Sequence, residues 1–264
     1  AAALALAPAS TNLSCAAVGG ISIQVTANVP WTATTNAPWL AISSGASGTT
    51  NGAVVFGVAA NDSTSSRTGA LIVAGGGLAR TCVVIQAAVA DWFVATNGND
   101  AADGRSWATA KQTIQAAVDV ATNGGTVWVS NGVYAAGGGV VAQGGSNRVA
   151  LIKPITVQSV NGPEATIIAG GGAMRCAYVT NGAVLSGFTV TNGVAGAGGG
   201  VWCETSGVAN LCVIAGNSAG GGTGGGSHGG TLNECTLSGN QAFTGGGATG
   251  GTLNQCVLSG KSAI

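Results

Sequence analysis

GVANLCVIAGNS at 207–218, GTLNECTLSGNQ at 230–241 and GTLNQCVLSGKS at 251–262 are one phrase written three times. Its cysteines, Cys212, Cys235 and Cys256, fall 23 and then 21 residues apart. Self-similarity at a period of about 20–50 residues marks a solenoid, in which each repeat buries its apolar face on its neighbours. A more distant copy, AVLSGFTVTNG at 183–193, carries Phe188 at the cysteine position. A second beat of glycine triplets, at 198–200, 224–226 and 245–247, runs between the copies.

Alternation inside the phrase assigns an inside and an outside. In Leu232–Leu237, Cys235 and Leu237 are expected to face in, and Glu234 and Thr236 to face out. Phe188, Cys212, Cys235 and Cys256 then form an interior ladder, either of reduced thiols filling a narrow coil or of disulfides. Asn217 and Asn240, five residues after their cysteines, form a second ladder of side-chain amides, which Lys261 interrupts. The glycine triplets are read as tight turns that let successive coils approach closely.

Upstream, Ile114, Ala117, Val118 and Ala121 share one face of a helix over 109–122, ended by Asn123-Gly124-Gly125. A strand follows at 126–129. Further strands are expected at 149–152, 155–158, 166–169, 177–180, 184–191 and 200–203, giving roughly five coils that rise ~20–25 Å at ~4.8 Å per strand. Residues 12–89 read differently. ISIQVTA, WTATT, WLAIS, AVVFGVAA, GALIVAG and TCVVIQA are short apolar runs separated by turn residues, which is the pattern of a β-sandwich. Ile21, Ile23 and Val25 are expected to share an inward face, as are Val83 and Ile85. Residues 1–11 are read as a signal-peptide remnant or an apolar arm. The domains are therefore 1–11, 12–89 and 90–264, with a cap at 92–134, coils from about 126 and no capping element at the C-terminus.

Composition narrows the function. The chain has 8 Lys+Arg against 8 Asp+Glu, and only 6% of its residues are charged. A nucleic-acid binder needs a clustered cationic footprint, so that class is excluded. No run of ~20 apolar residues is present to span a membrane. The opening AAALALAPAS resembles the tail of a secretory signal, and the seven cysteines suit an oxidising compartment. The expected location is secreted, extracellular or at a cell surface. Cys15 and Cys82, in the first and last strands of the sandwich, are a disulfide candidate, with two buried thiols as the alternative.

Two resemblances follow from particular residues. Pro30-Trp31-Thr32-Ala33, Ala37-Pro38-Trp39-Leu40, Asn61 with Arg67-Thr68-Gly69, and Thr81-Cys82-Val83-Val84-Ile85-Gln86 resemble a BACON domain. That resemblance implies an Ig-like sandwich of secreted bacterial glycan-active proteins, serving as a carbohydrate-binding module or a spacer. Thr113-Ile114-Gln115-Ala116-Ala117-Val118, Gly125-Thr126-Val127-Trp128-Val129 and Asn131-Gly132-Val133-Tyr134 resemble the entry to parallel β-helices of the pectate-lyase superfamily. The fold expected is all-β: an Ig-like sandwich, then a right-handed parallel β-helix with one N-terminal capping α-helix.

Candidate chemistry is sparse. Trp31 and Trp39 are either sugar-stacking platforms or packing residues. Asn97, Asn99, Asp100 and Asp103 before Gly104 make either a loose calcium loop or an Asx-rich turn. Beyond residue 150 the acids are Glu164, Glu204 and Glu234, and the single His228 aligns with Trp202 and Thr249 with no acid placed to orient it. No catalytic set and no cofactor motif emerge. The expected function is a secreted or surface structural and adhesive rod, with glycan as partner and self-association through the open coil end. The rival is the front part of a polysaccharide lyase or hydrolase whose catalytic coils lie elsewhere.

Overall fold

The computed structural model describes residues 1–264 except 62, 64, 143, 144, 261 and 264, together with the side chains of 262 and 263. The expected behaviour of Lys261 and of the last coil's end lies outside the described residues. The chain divides into two compact units, Ala1–Val89 and Ala90–Ile264. Both are built of strands, with one α-helix among the described residues.

The first unit is a sandwich. Leu4–Ala7, Val18–Ala27, Gly52–Val58 and Leu40–Ser44 form an antiparallel sheet in that order. Ser10–Leu13, Leu78–Gln86, Arg67–Gly75, Trp31–Thr35 and Ser47–Gly48 form the other sheet. Ile23, Val25, Val54, Phe56, Leu71, Val73, Cys82 and Val84 fill the space between them. The reading of residues 1–11 as a remnant or arm is corrected. Leu4–Ala7 pairs with 24–27 and buries Leu4, and Ser10–Leu13 pairs in parallel with 83–86. The inward phase at the end of the unit is also corrected, because Cys82, Val84 and Gln86 face in while Ile85 is exposed. Gln86 decides that phase. Its buried amide donates to the carbonyls of Cys15, Ala16 and Ala59, and its oxygen accepts from Arg67. In an all-apolar run such as Val83-Val84-Ile85 alternation carries no phase, so the polar plug sets it.

Cys15 and Cys82 are buried thiols, not a disulfide. The parallel register sets Ser10 against Val83 and Leu13 against Gln86. Cys82 is therefore opposite Ala9, while Cys15 lies two residues past Leu13, and the stretch from 9 to 13 alone spans about 13 Å at ~3.3 Å per residue. A disulfide spans Cα atoms no more than ~7 Å apart.

The second unit is a parallel β-solenoid with three sheets. The first runs Asp91–Val94, Thr126–Val129, Thr156–Ser159, Val184–Ser186, Val208–Asn210, Thr231–Asn233 and Thr252–Asn254. The second holds Gly132–Tyr134, Thr166–Ala169, Thr189–Thr191, Val213–Ala215, Thr236–Ser238 and Val257–Ser259. The third opens with a hairpin, Gly139–Val141 against Gly145–Leu151, and continues through Arg175–Val179, Val201–Cys203, Ser227–His228 and Ala248–Thr249. The register pairs 126 with 156, 156 with 184, 184 with 208, 208 with 231 and 231 with 252. Each coil is thus shorter than the one before, from 30 residues down to 21.

The expected strand at 184–191 is two strands with a corner at Gly187, whose φ is 76°. Leu211, Glu234 and Gln255 occupy the same corner in later coils at φ 52–53°. This left-handed residue turns the chain so that the next one, Phe188, Cys212, Cys235 or Cys256, points inward. The first three of these are buried and Cys256 is half-buried. Asn217 and Asn240 are buried beside them. The Asn217 amide donates to the Asn240 oxygen at 3.0 Å and to Val190 O at 2.9 Å, and the Asn240 amide donates to Ile214 O at 2.7 Å. A further amide ladder, absent from the sequence reading, stacks Asn210, Asn233 and Asn254 at 2.8 Å per step. The glycine triplets are close-approach points between coils, since a Cβ on Gly225 would lie 2.2 Å from Gln241 O in the next coil.

The cap is shorter than the expected helix over 109–122: the α-helix is Ile114–Val120. Lys111 is drawn into a bridge with Val94. The Asp100 carboxylate accepts from the amides of Gln112 and Thr113 and from the Thr113 hydroxyl, each at 2.8 Å, so the helix can begin only after Thr113. At the other end the Lys153 ammonium takes the carbonyls of Val118, Asp119 and Ala121, which satisfies helix-end oxygens and closes the turn. The helix seals the sheet edge through Gln115, whose oxygen accepts from Ala150 N at 2.7 Å.

Asn240→Ala is expected to destabilise the solenoid by about 3 kcal/mol, because it strands the Ile214 carbonyl and the Asn217 amide inside the coil. Asn254→Ala, on an exposed rung, is expected to cost under ~1 kcal/mol. Urea unfolding midpoints of the two variants check the contrast.

Candidate functional site

The third sheet lines up a column of aromatic and ionisable side chains. Parallel pairing sets Tyr178 beside Trp202, Trp202 beside His228, and His228 beside Thr249. The Trp202 and His228 rings stack with centroids 4.5 Å apart, and the Arg175 guanidinium lies 5.1 Å from the Trp202 centroid. Arg175 is buried. It donates to Gly198 O at 3.0 Å, Asn147 Oδ1 at 2.7 Å and Ala197 O at 2.9 Å, and its burial pulls it down to about 10.

Beside this stack an open groove of about 620 Å³ follows the turn from the third sheet to the first, from Asn181 to Thr252. Its wall is Trp202 and His228, and its floor includes Gly229, Gly230 and Gly251. Gly230 sits at φ 61°, and a Cβ there would lie 2.2 Å from that of Cys203. Packing of coil on coil thus leaves backbone at the groove floor, where a ligand can approach closely.

Glu204 supplies the groove's carboxylate. The Tyr178 hydroxyl donates to its Oε1, and Thr180 Oγ1 (3.0 Å) and Asn181 N (3.2 Å) donate to its Oε2. The Tyr178 hydrogen bond above all, then those of Asn181 and Thr180, hold Glu204 below its ordinary value of 4.5. Burial, with the Glu204 bond and charge, pushes Tyr178 up to about 12. Glu204 is therefore an ionised hydrogen-bond acceptor at neutral pH. His228 lines the same groove, with Nδ1 3.4 Å from Thr223 Oγ1.

The other acids stand elsewhere on the coil. Glu164 is exposed in the turn before Thr166–Ala169, and Glu234 is the left-handed corner residue between the first and second sheets. Both lie between the first and second sheets, whereas Glu204 follows the third. Glycoside hydrolysis uses two carboxyl groups about 5–10 Å apart, and this distribution does not bring these three together. Burial pushes the Cys176 and Cys203 thiols up to about 12, so they are protonated and unreactive at neutral pH.

Of the two readings of the loop at 97–104, the hydrogen bonds form the Asx-rich turn, which also caps the helix. Asn99 and Asp103 accept from backbone amides two residues on, at 2.9 and 3.0 Å, and Asp100 caps the helix. Asn97 is exposed. The loop carbonyls of Asp100 and Ala102 already receive a cation, the Lys111 ammonium, at 2.9 and 2.7 Å. Among the described residues no cluster of three His, Cys, Asp or Glu is placed to hold a metal ion.

Of the two readings of Trp31, packing is the one its burial supports. Trp31 is 3% exposed in the sandwich core and donates from Nε1 to Thr50 O at 2.7 Å. Trp39 is half-buried against that core, with the Arg67 guanidinium 4.4 Å from its ring centroid. These two tryptophans and the Arg67–Gln86 clasp all lie in the first unit. Residues 3–89 match the family model of the viral BACON domain.

The match begins at residue 3, in agreement with Leu4–Ala7 as a strand of this BACON domain. Its description is viral, and the bacterial setting implied by the resemblance is not part of it. No curated protein matches the chain. Among solved structures, a Bacteroides ovatus GH5 xyloglucanase in complex with a XXXG heptasaccharide is similar at 22% identity and a TM-score of 0.31. That similarity covers 33% of this chain and 19% of that one, and it carries no argument about activity. Among the described residues no helix is long and apolar enough to cross a membrane.

Two outcomes separate the acids. Glu234→Gly is expected to be neutral or stabilising, and Glu234→Ile to cost ~1–2 kcal/mol, because a β-branched residue resists the left-handed corner; thermal unfolding of both reads this. Glu204 has a lowered folded value, so its contribution to stability is complete above 4.5 and is lost as the pH falls through the lowered value. The stability gap between the native chain and Glu204→Gln is expected to be full at neutral pH and to close in acid. A gap of constant size down the acid limb would separate the carboxylate's charge from its role.

Proposed function

We propose that this chain is a non-catalytic glycan-binding rod displayed at a surface, with the BACON domain as a carbohydrate-associated module and the solenoid as a second, independent glycan-binding element. The observation that carries this reading is the groove at Trp202. It combines an aromatic wall, a backbone floor and one ionised carboxylate, which are the parts needed to accept hydroxyl donors and to give a sugar ring apolar contact. The distribution of Glu164, Glu204 and Glu234 supports binding without cleavage. The match of residues 3–89 to a carbohydrate-associated family supports glycan as the ligand class, and its viral description makes a particle surface as suitable a setting as a cell surface. The scarcity of charge favours neutral sugar chains over ionic partners.

A glycan array probed with the purified full chain tests this. Binding to at least one linear neutral glycan is expected, reduced roughly tenfold or more by Trp202→Ala, with no release of new reducing ends on prolonged incubation. Depolymerisation that disappears in Glu204→Gln would replace this reading with a catalytic one.

A further inference from the structure

We propose that the groove at Glu204 and a second groove on the far side of Trp202 form one continuous path, along which a single linear oligosaccharide crosses the third sheet diagonally. This rests on the glycan-binding reading above and adds the shape of the ligand and its course over the solenoid.

Trp202 joins the two grooves because it lines both. The second groove, of about 470 Å³, lies where the chain enters the third sheet and is lined by Ser146, Met174, Arg175, Val194 and Ala197. The register places Asn147 beside Arg175 and carries the column Tyr178, Trp202, His228 and Thr249 down the sheet. The entry groove therefore occupies the earlier coils, from Ser146 to Ala197. The exit groove occupies the later ones, down to Thr252. From one end to the other the path descends four strand spacings, roughly 20 Å at ~4.8 Å each. That length accommodates several pyranose rings, and each groove alone accommodates a short piece.

The ridge between the grooves is rigid. Arg175 lies over the Trp202 indole and is itself anchored to Gly198, Ala197 and Asn147, and His228 stacks on the indole from the next coil. A fixed ridge lets a bound chain pass without the cost of ordering a mobile side chain. The two grooves differ in chemistry. Met174, Val194 and Ala197 offer the entry groove apolar contact, and Glu204, Thr205 and Thr231 offer the exit groove hydroxyl recognition. A linear neutral glycan, with apolar ring faces and hydroxyl edges, meets both demands in turn.

Titration calorimetry of the full chain with cello-, xylo- and chito-oligosaccharides of two to six rings tests the path. Two variants each fill one groove. Gly196→Tyr projects into space where a Cβ meets nothing within 4 Å, and Thr205→Tyr starts from an exposed side chain. For the series that binds, one six-ring oligosaccharide per chain is expected, with affinity rising about tenfold or more between three rings and six. Each variant alone is expected to abolish that rise while circular dichroism and melting temperature stay native. Two equivalents per chain, one lost in each variant, would make the grooves separate sites and overturn the path while leaving glycan binding intact. Length-independent affinity would do the same. Absence of binding by every series to the native chain would overturn the underlying reading as well.

Discussion

Parallel hydrogen bonding between successive coils is the constraint on which the rest of the solenoid depends. At ~4.8 Å between strands, any residue is stacked on its counterpart in the neighbouring coil, so every position answers for a whole column. Interior columns must be apolar, or polar and mutually satisfied. The thiols at 212 and 235 follow the first rule, and the Asn217–Asn240 pair follows the second. Corners must accept a left-handed residue, which Gly187 does without strain and Leu211, Glu234 and Gln255 do at some cost. Backbone must meet backbone at the glycine triplets, where no side chain fits.

A stack of this kind has ends, and the N-terminal end is closed by side-chain chemistry. Gln115 supplies the acceptor that a missing strand would have offered to Ala150. Lys153 neutralises the helix's free carbonyls, and Asp100 fixes where the helix begins. These three residues convert an amphipathic segment into a lid. The same economy appears in the BACON domain, where Arg67, Gln86 and the carbonyls they satisfy tie the loop after Val58 to the last strand.

Column logic also explains the candidate site. An outward column on the third sheet brings Tyr178, Trp202, His228 and Thr249 into one line, and the turn after Cys203 places Glu204 where Tyr178, Thr180 and Asn181 can hold it ionised. One carboxylate so held is an acceptor for hydroxyl donors, the role proposed for it above. Hydrolysis would need a second at a defined distance, and the fold sends Glu234 to a corner whose demand is conformational.

By itself the sequence determined what repeats. Recurrence of the Cys212 phrase implied a solenoid, the spacing of Gly198–Gly200 and its echoes implied close coils, and the alignment of His228 with Trp202 and Thr249 was readable from the second beat. The Trp and Arg motifs of residues 30–86 pointed to the BACON relationship. Other features were decided only in three dimensions. The phase of Val83-Val84-Ile85, the start of the helix, the strands at Leu4–Ala7 and Ser10–Leu13, the burial of Trp31, the reach of Lys111 into the loop at 97–104 and the two grooves meeting at Trp202 all depend on partners far away in the chain. The physical reason is that periodicity is local and survives in one dimension. The environment of a tryptophan or a carboxylate is set by which coil or strand lies against it.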